Sequence, residues 1–346
     1  MNNKKKIFRN LIIFILLITF TFYIILKDQN ILDILSILVN VKIQYVFIAI
    51  LCMCLYFVGE TINIGRTLKI LNEKSSFWRN VKYTLIGFFF SSITPAASGG
   101  QPMEIYYMHK DKISVANSTL ALLINLCSFQ IITISFALIS IIFNFNLLNQ
   151  SLMWFFVLGI TLNSMALALL LIGIFSKKLS EALIKFAIKI LKFFKYRKVE
   201  KVQEKLENEV KQYQGSASYI KSNKEVIVKT LITTLVQVLI YYSIPYWVYL
   251  AFGLSESNIF RIITMQAVLY ATVSGIPLPG AVGITEGGFM SIFKPIFAAG
   301  IISSAMLLTR GVNFYLFVII STIIVIISTL KVKKTEKTEK EDMIEE

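Results

Sequence analysis

Charged side chains are scarce in this sequence. Asp, Glu, Lys and Arg make up 16% of the 346 residues, whereas ordinary soluble domains carry about 25%. Hydrophobic residues make up 56%, and the mean hydropathy is +0.70. A soluble domain of this length cannot bury so much apolar surface, but a bilayer accommodates about 20 apolar residues in each helical span. The composition therefore predicts an integral membrane protein.

Histidine and cysteine are also scarce. His109 is the only histidine, which argues against a His-based metal site or a Ser-His triad within one chain. Cys52, Cys54 and Cys127 lie in apolar stretches, and their odd number favours buried free thiols over a disulfide framework. No Gly-rich phosphate-binding loop is present, so an ATP-driven pump is not supported. We expect no metal, no cofactor and no catalytic residue.

The apolar residues form long runs. Residues 1–26 begin with four basic side chains and then run apolar from Ile7 to Leu26. A cleaved signal peptide is the alternative, but no small-residue cleavage site follows, so we interpret this run as an uncleaved first span. Further apolar stretches lie at 44–65, 83–108, 115–143, 151–175, 226–252, 259–296 and 297–330.

Two of these stretches are broken by proline and glycine, within 94–102 and within 275–283. Proline removes a helix donor, and glycine relaxes the backbone. Such breaks at membrane depth persist only where protein or a water-filled cavity satisfies the freed polar groups. The residues that form the breaks are Pro95, Gly99, Gly100, Pro102, Pro277, Pro279, Gly280 and Gly283.

The placement of Lys and Arg predicts which loops are cytoplasmic. The N-terminus is basic, 66–82 carries five bases against one acid, and 177–224 carries 13 bases against five acids. By contrast, 27–42 is balanced and 144–150 is uncharged. If 83–108 crossed the membrane once, the basic 177–224 region would lie outside, so we expect 83–108 to enter from the cytoplasm and return there.

The same argument applied to the second half of the sequence predicts a hairpin on the opposite side of the membrane. A cytoplasmic tail beyond residue 330 requires 259–296 to enter from outside and return outside, and 297–330 then crosses inward with a kink. The sequence therefore predicts an all-α polytopic membrane protein with about six full spans and two re-entrant hairpins. Both termini are expected to be cytoplasmic.

The two breaks resemble each other. Pro95 precedes Glu104 by nine residues, and Pro277 precedes Glu286 by nine residues, an offset of 182 in both cases. This spacing predicts an inverted internal repeat, a known transporter architecture in which broken helices meet near the midplane. Two unrelated Pro/Gly breaks are the alternative.

The remaining regions are a basic connector and a charged tail. Residues 177–224 include a helical apolar stripe, which predicts a basic amphipathic segment on the cytoplasmic leaflet. Its lysines either attract anionic lipids or only fix the topology. Residues 331–346 mix Lys and Glu and are expected to be disordered. The chain is thus divided into a transmembrane domain over 1–330 and a short tail.

Ionisable groups inside the membrane cost roughly 2.5–3.5 kcal/mol each, so their presence indicates a role. One interpretation is structural, with Arg310 paired to Glu286 or Glu104 and Glu60 paired to Arg66. The other is a polar path in which Arg310 contacts a lipid phosphate and the carboxylates contact a headgroup amine. The path candidates are Glu60, Gln101, Glu104, Glu286 and Arg310.

The stretch 89–102 resembles the signature of the lysylphosphatidylglycerol synthase transmembrane region family, and 277–287 resembles its second motif. Arg310 lies where the family usually has an arginine. The resemblance implies a flippase-like domain of the bacterial cytoplasmic membrane that moves aminoacylated phosphatidylglycerol outward and so confers resistance to cationic antimicrobial peptides. Longer relatives add a lysyltransferase domain. Because 16 residues follow Leu330, we do not expect that enzymatic activity in this chain.

Three functions therefore stay open. The first is a lipid translocase, and the second is the membrane subunit of a phosphatidylglycerol lysyltransferase with a separate catalytic domain. The third is a small-solute transporter. The expected partners are membrane phospholipids, with a separate lipid aminoacyl-transferase and further copies of this chain as candidates; no nucleic acid is expected.

Overall fold

The computed structural model describes residues 31–148, 150–175 and 199–345, and in these ranges the chain is helical and without strands. We number the helices in chain order. They are α1 (Ile31–Val39), α2 (Ile43–Ile70), α3 (Phe77–Ser92), α4 (Gly100–Lys110), α5 (Val115–Asn144), α6 (Gln150–Phe175), α7 (Val199–Ser222), α8 (Lys224–Tyr242), α9 (Ile244–Ala251), α10 (Ile259–Ser274), α11 (Ile284–Ile292), α12 (Ile302–Arg310) and α13 (Leu316–Glu345).

Five stretches in the described residues are long and apolar enough to cross a bilayer. They are α2, α5, residues 150–172 of α6, the continuous α8–α9 unit, and the unit from α12 to residue 332. Their outer faces carry exposed apolar side chains such as Trp154 and Ile142, as a lipid-facing surface requires. The predicted all-α multi-pass membrane protein is confirmed. The predicted first span, residues 7–26, lies outside the described residues, so the count of six stays a prediction.

The first hairpin consists of α3 and α4, which pack against each other. Between them Thr94 replaces the missing helical hydrogen bonds: its Oγ1 donates to the Phe90 carbonyl (2.6 Å) and accepts from the Gly99 amide (2.9 Å). A short 3₁₀ turn follows over Pro95–Ala97. With 11 residues, α4 is about 16 Å long, too short for a core of about 30 Å.

The second hairpin consists of α10 and α11, again packed together, and α11 has only nine residues. Its break is also a 3₁₀ turn, over Pro279–Ala281, with φ of +58° at Gly280. Glycine is required at this position for two reasons. The backbone is left-handed, and a Cβ would lie 2.3 Å from Cζ of Phe314.

The two turns share one backbone conformation. Ala96 and Ala97 have φ of +52° and +54°, and their counterparts Gly280 and Ala281 have +58° and +48°. The backbone therefore aligns Pro95 with Pro279, 184 residues later, rather than with Pro277 as the sequence spacing indicated. Pro277 instead precedes the extended residue that leads into the turn. This local match does not extend to the carboxylates, and the inverted repeat as a whole stays a prediction.

The predicted kink in the last apolar stretch is a π-helical turn over Gly311–Tyr315, between α12 and α13. Such turns often lie at functional sites. Here the turn brings Phe314 against Gly280 of the second break. The two breaks also contact each other, so both hairpins and the π turn meet in one region of the molecule.

Three smaller predictions need correction or restriction. The chain is helical through Glu345 where a disordered tail was expected, because Lys and Glu are good helix formers and no Pro or Gly interrupts them. Cys54 is exposed on the apolar surface, whereas Cys52 and Cys127 are buried as predicted. Of the 177–224 segment, residues 177–198 lie outside the described residues, and α7 packs against α5 and α6 rather than lying free on a surface.

Candidate functional site

The second hairpin holds a buried ion pair. Arg310, at the end of α12, donates from Nε to Oε1 of Glu286 at 2.7 Å, and the two side chains are 6% and 0% exposed. Tyr315 donates its hydroxyl to the same oxygen at 2.9 Å, and the Gly283 amide donates to Oε2 at 2.7 Å. Glu286 also lies in the first turn of α11, where the helix dipole favours a negative charge. Both carboxylate oxygens of Glu286 are thus occupied.

Arg310 is fixed from a second side as well. A terminal nitrogen donates to the Gly280 carbonyl at 3.2 Å, and the guanidinium carbon lies 4.2 Å from the ring centroid of Phe314. A guanidinium has five N–H donors, more than these contacts use. The second break, the π turn and Glu286 therefore hold one cation in place while leaving it capacity to bind an anion.

Arg310 lines a cavity of about 680 Å³, which we call the groove. The groove lies between the two breaks, with Ala97 on one side and Gly280 on the other, and α5, α6 and α10 complete its walls. Its lining is mostly apolar and aromatic, with a few polar side chains such as Asn163 and Gln266. Oε1 of Gln266 is buried and has no hydrogen-bond partner in the described structure.

A second cavity of about 280 Å³, which we call the chamber, adjoins the groove. The two share wall residues, among them Gln101, Tyr241 and Asn313. The chamber is lined by Glu60 from α2 and Glu104 from α4, neither of which lines the groove. The site therefore separates its charges, with a cation in the groove and two carboxylates in the chamber.

Glu104 is 4% exposed, and its Oε2 has no hydrogen-bond partner in the described part of the chain. Its carboxylate packs directly on Gly87 of α3, where a Cβ would lie 1.8 Å from Oε1. Glu60, a second carboxylic acid, lines the same cavity. The chamber thus brings together two carboxyl groups and supplies no Lys or Arg among its described lining residues.

Glu60 is held by an amide chain rather than by an arginine. Asn125 donates to Glu60 Oε1 at 3.4 Å, and Asn63 donates to Asn125 at 3.3 Å. Arg66 donates to Asn63 at 2.8 Å and to two threonines of α8. The interpretation of Glu60 as a direct partner of Arg66 is therefore wrong, because Asn63 and Asn125 lie between them.

The structure brings four of the predicted path residues to the cavities. Glu60 and Glu104 line the chamber, Gln101 lines both cavities, and Arg310 lines the groove. Glu286 lines neither cavity, because it lies behind Arg310. Whether these residues carry substrate stays a prediction.

The break residues act mainly through the backbone. Gly99 and Gly100 pack so closely on Thr94 and Ser91 that a Cβ at either would lie within 2.7 Å of those side chains. The side chains of Pro95, Pro102 and Pro277 are exposed, and Pro279 is buried. Gly283 takes φ of +88° and donates its amide to Glu286. These residues shape the backbone around the site, and of them Gly280 lines the groove.

Sequence reasoning missed Gly87 and three amide side chains of the chamber. The amides are those of Asn125, Gln237 and Asn313. Oε1 of Gln237 and Oδ1 of Asn313 are buried and have no hydrogen-bond partner in the described residues. The available signal was an amide within an otherwise apolar span, since a membrane helix carries such a group only where protein or water satisfies it.

The fold and site together define a multi-pass α-helical membrane protein in which two broken helices meet beside two adjoining cavities. The sequence matches the family described as lysylphosphatidylglycerol synthase TM region over residues 7–321, and the chain belongs to that family. A comparison with curated proteins finds no match.

Proposed function

We propose that this chain is a lipid translocase that moves a phospholipid between the leaflets of the bacterial cytoplasmic membrane. In this proposal the headgroup passes through the groove and chamber while the acyl chains stay in the surrounding lipid. A lysyl- or other aminoacyl-phosphatidylglycerol is the favoured substrate. Outward movement of such a lipid would lower the negative surface charge and weaken binding of cationic antimicrobial peptides.

The observation that carries the proposal is the separation of charge between the two cavities. A lipid phosphate is an anion that suits a guanidinium, which presents several N–H donors in a fixed fork. Arg310 supplies that group in the groove, where hydrogen bonds to Glu286 and to the second break hold its side chain in place. An ammonium group is a donor-only cation, and the chamber presents carboxylates and unpaired amide oxygens. A headgroup with both charges matches both cavities.

The test is a leaflet assay in proteoliposomes with fluorescent lysyl-phosphatidylglycerol and, separately, plain phosphatidylglycerol. Wild-type protein should accelerate exchange between leaflets, and Arg310→Ala should reduce that acceleration at least tenfold while still inserting. The matched control is Arg261→Ala, since Arg261 is exposed at the start of α10 and lines neither cavity. Unchanged exchange in Arg310→Ala, or no acceleration of either lipid by wild type, would count against the proposal.

The chamber alone also favours a second function, small-solute transport. Its volume of about 280 Å³ is near the lower end of small-molecule sites. Transport of a small cation without exchange of either lipid would favour that function. The third alternative, the membrane subunit of a lysyltransferase, predicts that lipid aminoacylation appears only when a catalytic partner is added.

A further inference from the structure

We propose that Glu60 and Glu104 share one bound proton, and that this proton couples translocation to a pH gradient. The inference rests on the proposed function for the coupling, but the proton site itself does not depend on it. It is carried by the geometry of the chamber, where two carboxylates face one cavity and each lacks a cationic partner among the described residues.

Two ionised carboxylates in one site of low dielectric repel each other, so such pairs bind a proton that compensates one charge. A metal ion would be the other means of compensation. The described residues contain no group of three or more His, Cys, Asp or Glu that could hold one, and the response to sodium in the second experiment separates a bound cation from a proton. A proton needs only one free oxygen and a nearby acceptor, and the chamber offers both.

The hydrogen bonds indicate which carboxylate holds the proton. Asn125 donates an N–H to Glu60, and a donor favours the ionised form of the carboxylate that accepts it. Oε2 of Glu104 has no donor in the described structure, and neither have Oε1 of Gln237 and Oδ1 of Asn313, which line the same chamber. A proton on Glu104 turns one of three unpaired acceptors into a donor.

Among the described residues that line the chamber, only the Glu60 and Glu104 carboxyls are expected to titrate near neutral pH. Tyr56 of α2, Tyr241 of α8 and Tyr270 of α10 line the chamber, and tyrosine ordinarily ionises near pH 10, about three units above neutrality. The described lining residues of α3, α5 and the π turn are not titratable. Arg310 lines the adjoining groove but is committed to Glu286. The proton comes from water on one side of the membrane and is released to water on the other.

The first experiment detects the proton without any transport. Difference infrared spectroscopy of the full chain in vesicles at neutral pH should show the C=O stretch of a protonated carboxyl. Glu104→Gln should abolish this band, because Glu60 accepts an N–H from Asn125 and then has no like charge beside it. Glu60→Gln should shift the band but retain it, because Glu104 stays buried and without a donor in the described structure. Glu225→Gln is the control, since Glu225 is exposed and pairs with Lys229. Absence of the band in wild type, its persistence unchanged in Glu104→Gln, or an identical band in wild type and Glu60→Gln would overturn the proposal.

The second experiment detects coupling in proteoliposomes with fluorescent lysyl-phosphatidylglycerol and the membrane potential held at zero. For one proton per lipid, a gradient of one pH unit should shift the leaflet ratio by up to about tenfold. Both chamber variants should exchange the lipid more slowly, because their carboxylates also face the proposed headgroup path. The leaflet ratio that each variant finally reaches should no longer depend on the gradient. Wild-type exchange that ignores pH but responds to sodium would overturn the coupling. A clear infrared band without any lipid exchange would instead count against the proposed function and leave the proton site standing.

Discussion

The two broken hairpins have the same backbone turn, but their carboxylates differ in their hydrogen-bond and charge partners. In the second hairpin, Glu286 is matched by Arg310, a tyrosine hydroxyl and a backbone amide. In the first hairpin, Glu104 keeps an oxygen without a partner in the described residues and shares the chamber with a second carboxyl group, that of Glu60. Both oxygens of Glu286 have hydrogen-bond donors within the protein. Oε2 of Glu104 has none in the described structure.

This difference gives the two hairpins different parts in the proposed translocase. A buried charge that is fully paired holds its surroundings in place, because removing either partner leaves the other charge buried and unpaired. Arg310 and Glu286 therefore fix the second break against the groove, and only the N–H groups of Arg310 that these contacts leave over can meet an anion. A carboxylate without a built-in partner is instead free to exchange protons or cations. Our proposal therefore assigns the exchangeable proton to the first hairpin.

The largest expected effect compares the two carboxylates directly. Glu286→Gln should lower the free energy of unfolding by about 3–5 kcal/mol, because it leaves Arg310 buried without its counter-ion. Glu104→Gln should stay within about 1 kcal/mol of wild type, since Oε2 loses no hydrogen bond. Equilibrium unfolding of both variants in the same mixed micelles measures the difference.

The control for this pair is the double variant Glu286→Gln/Arg310→Met, which removes both charges and should recover part of the loss. Equal destabilisation by Glu286→Gln and Glu104→Gln would mean that the two carboxylates contribute equally to stability. The contrast between a paired and an unpaired carboxylate would then have to be abandoned.

The sequence predicted the breaks well, because proline and glycine act locally. The interruptions at 94–102 and 275–283 lie where Pro95 and Pro279 begin their turns. The sequence also reduced the charge partners of Arg310 to two carboxylates. It could not choose between them, because Glu286 lies 24 positions away and Glu104 far more, and distances of this kind depend on how the hairpins pack.

Other features of the site were beyond prediction for related reasons. Gly87 gives no motif, and its role appears only once α4 places Glu104 against it. The amide chain through Asn63 and Asn125 joins two helices whose relative register the sequence does not encode locally. The alignment of Pro95 with Pro277 failed because two prolines lie close together at the second break, and only the backbone shows which one begins the turn.

A smaller effect is expected when the turns themselves are changed. Gly280→Ala should destabilise the protein by about 1–3 kcal/mol, because a left-handed residue gains a Cβ that also meets Phe314. Ala96→Gly at the matching position should stabilise it slightly or leave it unchanged, since it relieves a positive φ of 52°. Thermal unfolding of both variants tests the match of the two turns. Destabilisation by both would show that the first turn depends on the alanine side chain.

The smallest change in stability, and the most local, is expected at Gly87. Gly87→Ala should alter the free energy of unfolding by about 1 kcal/mol or less, because the new methyl group meets only the flexible end of Glu104. In a Glu104→Ala background the same substitution should become stabilising, since the helix gains alanine and nothing obstructs it. Gly287→Ala is the control, with open space around its Cβ, and should behave alike in both backgrounds. If Gly87→Ala also behaved alike in both, the carboxylate would not rest on Gly87, and the distinctive environment of the first hairpin would lose its geometric basis.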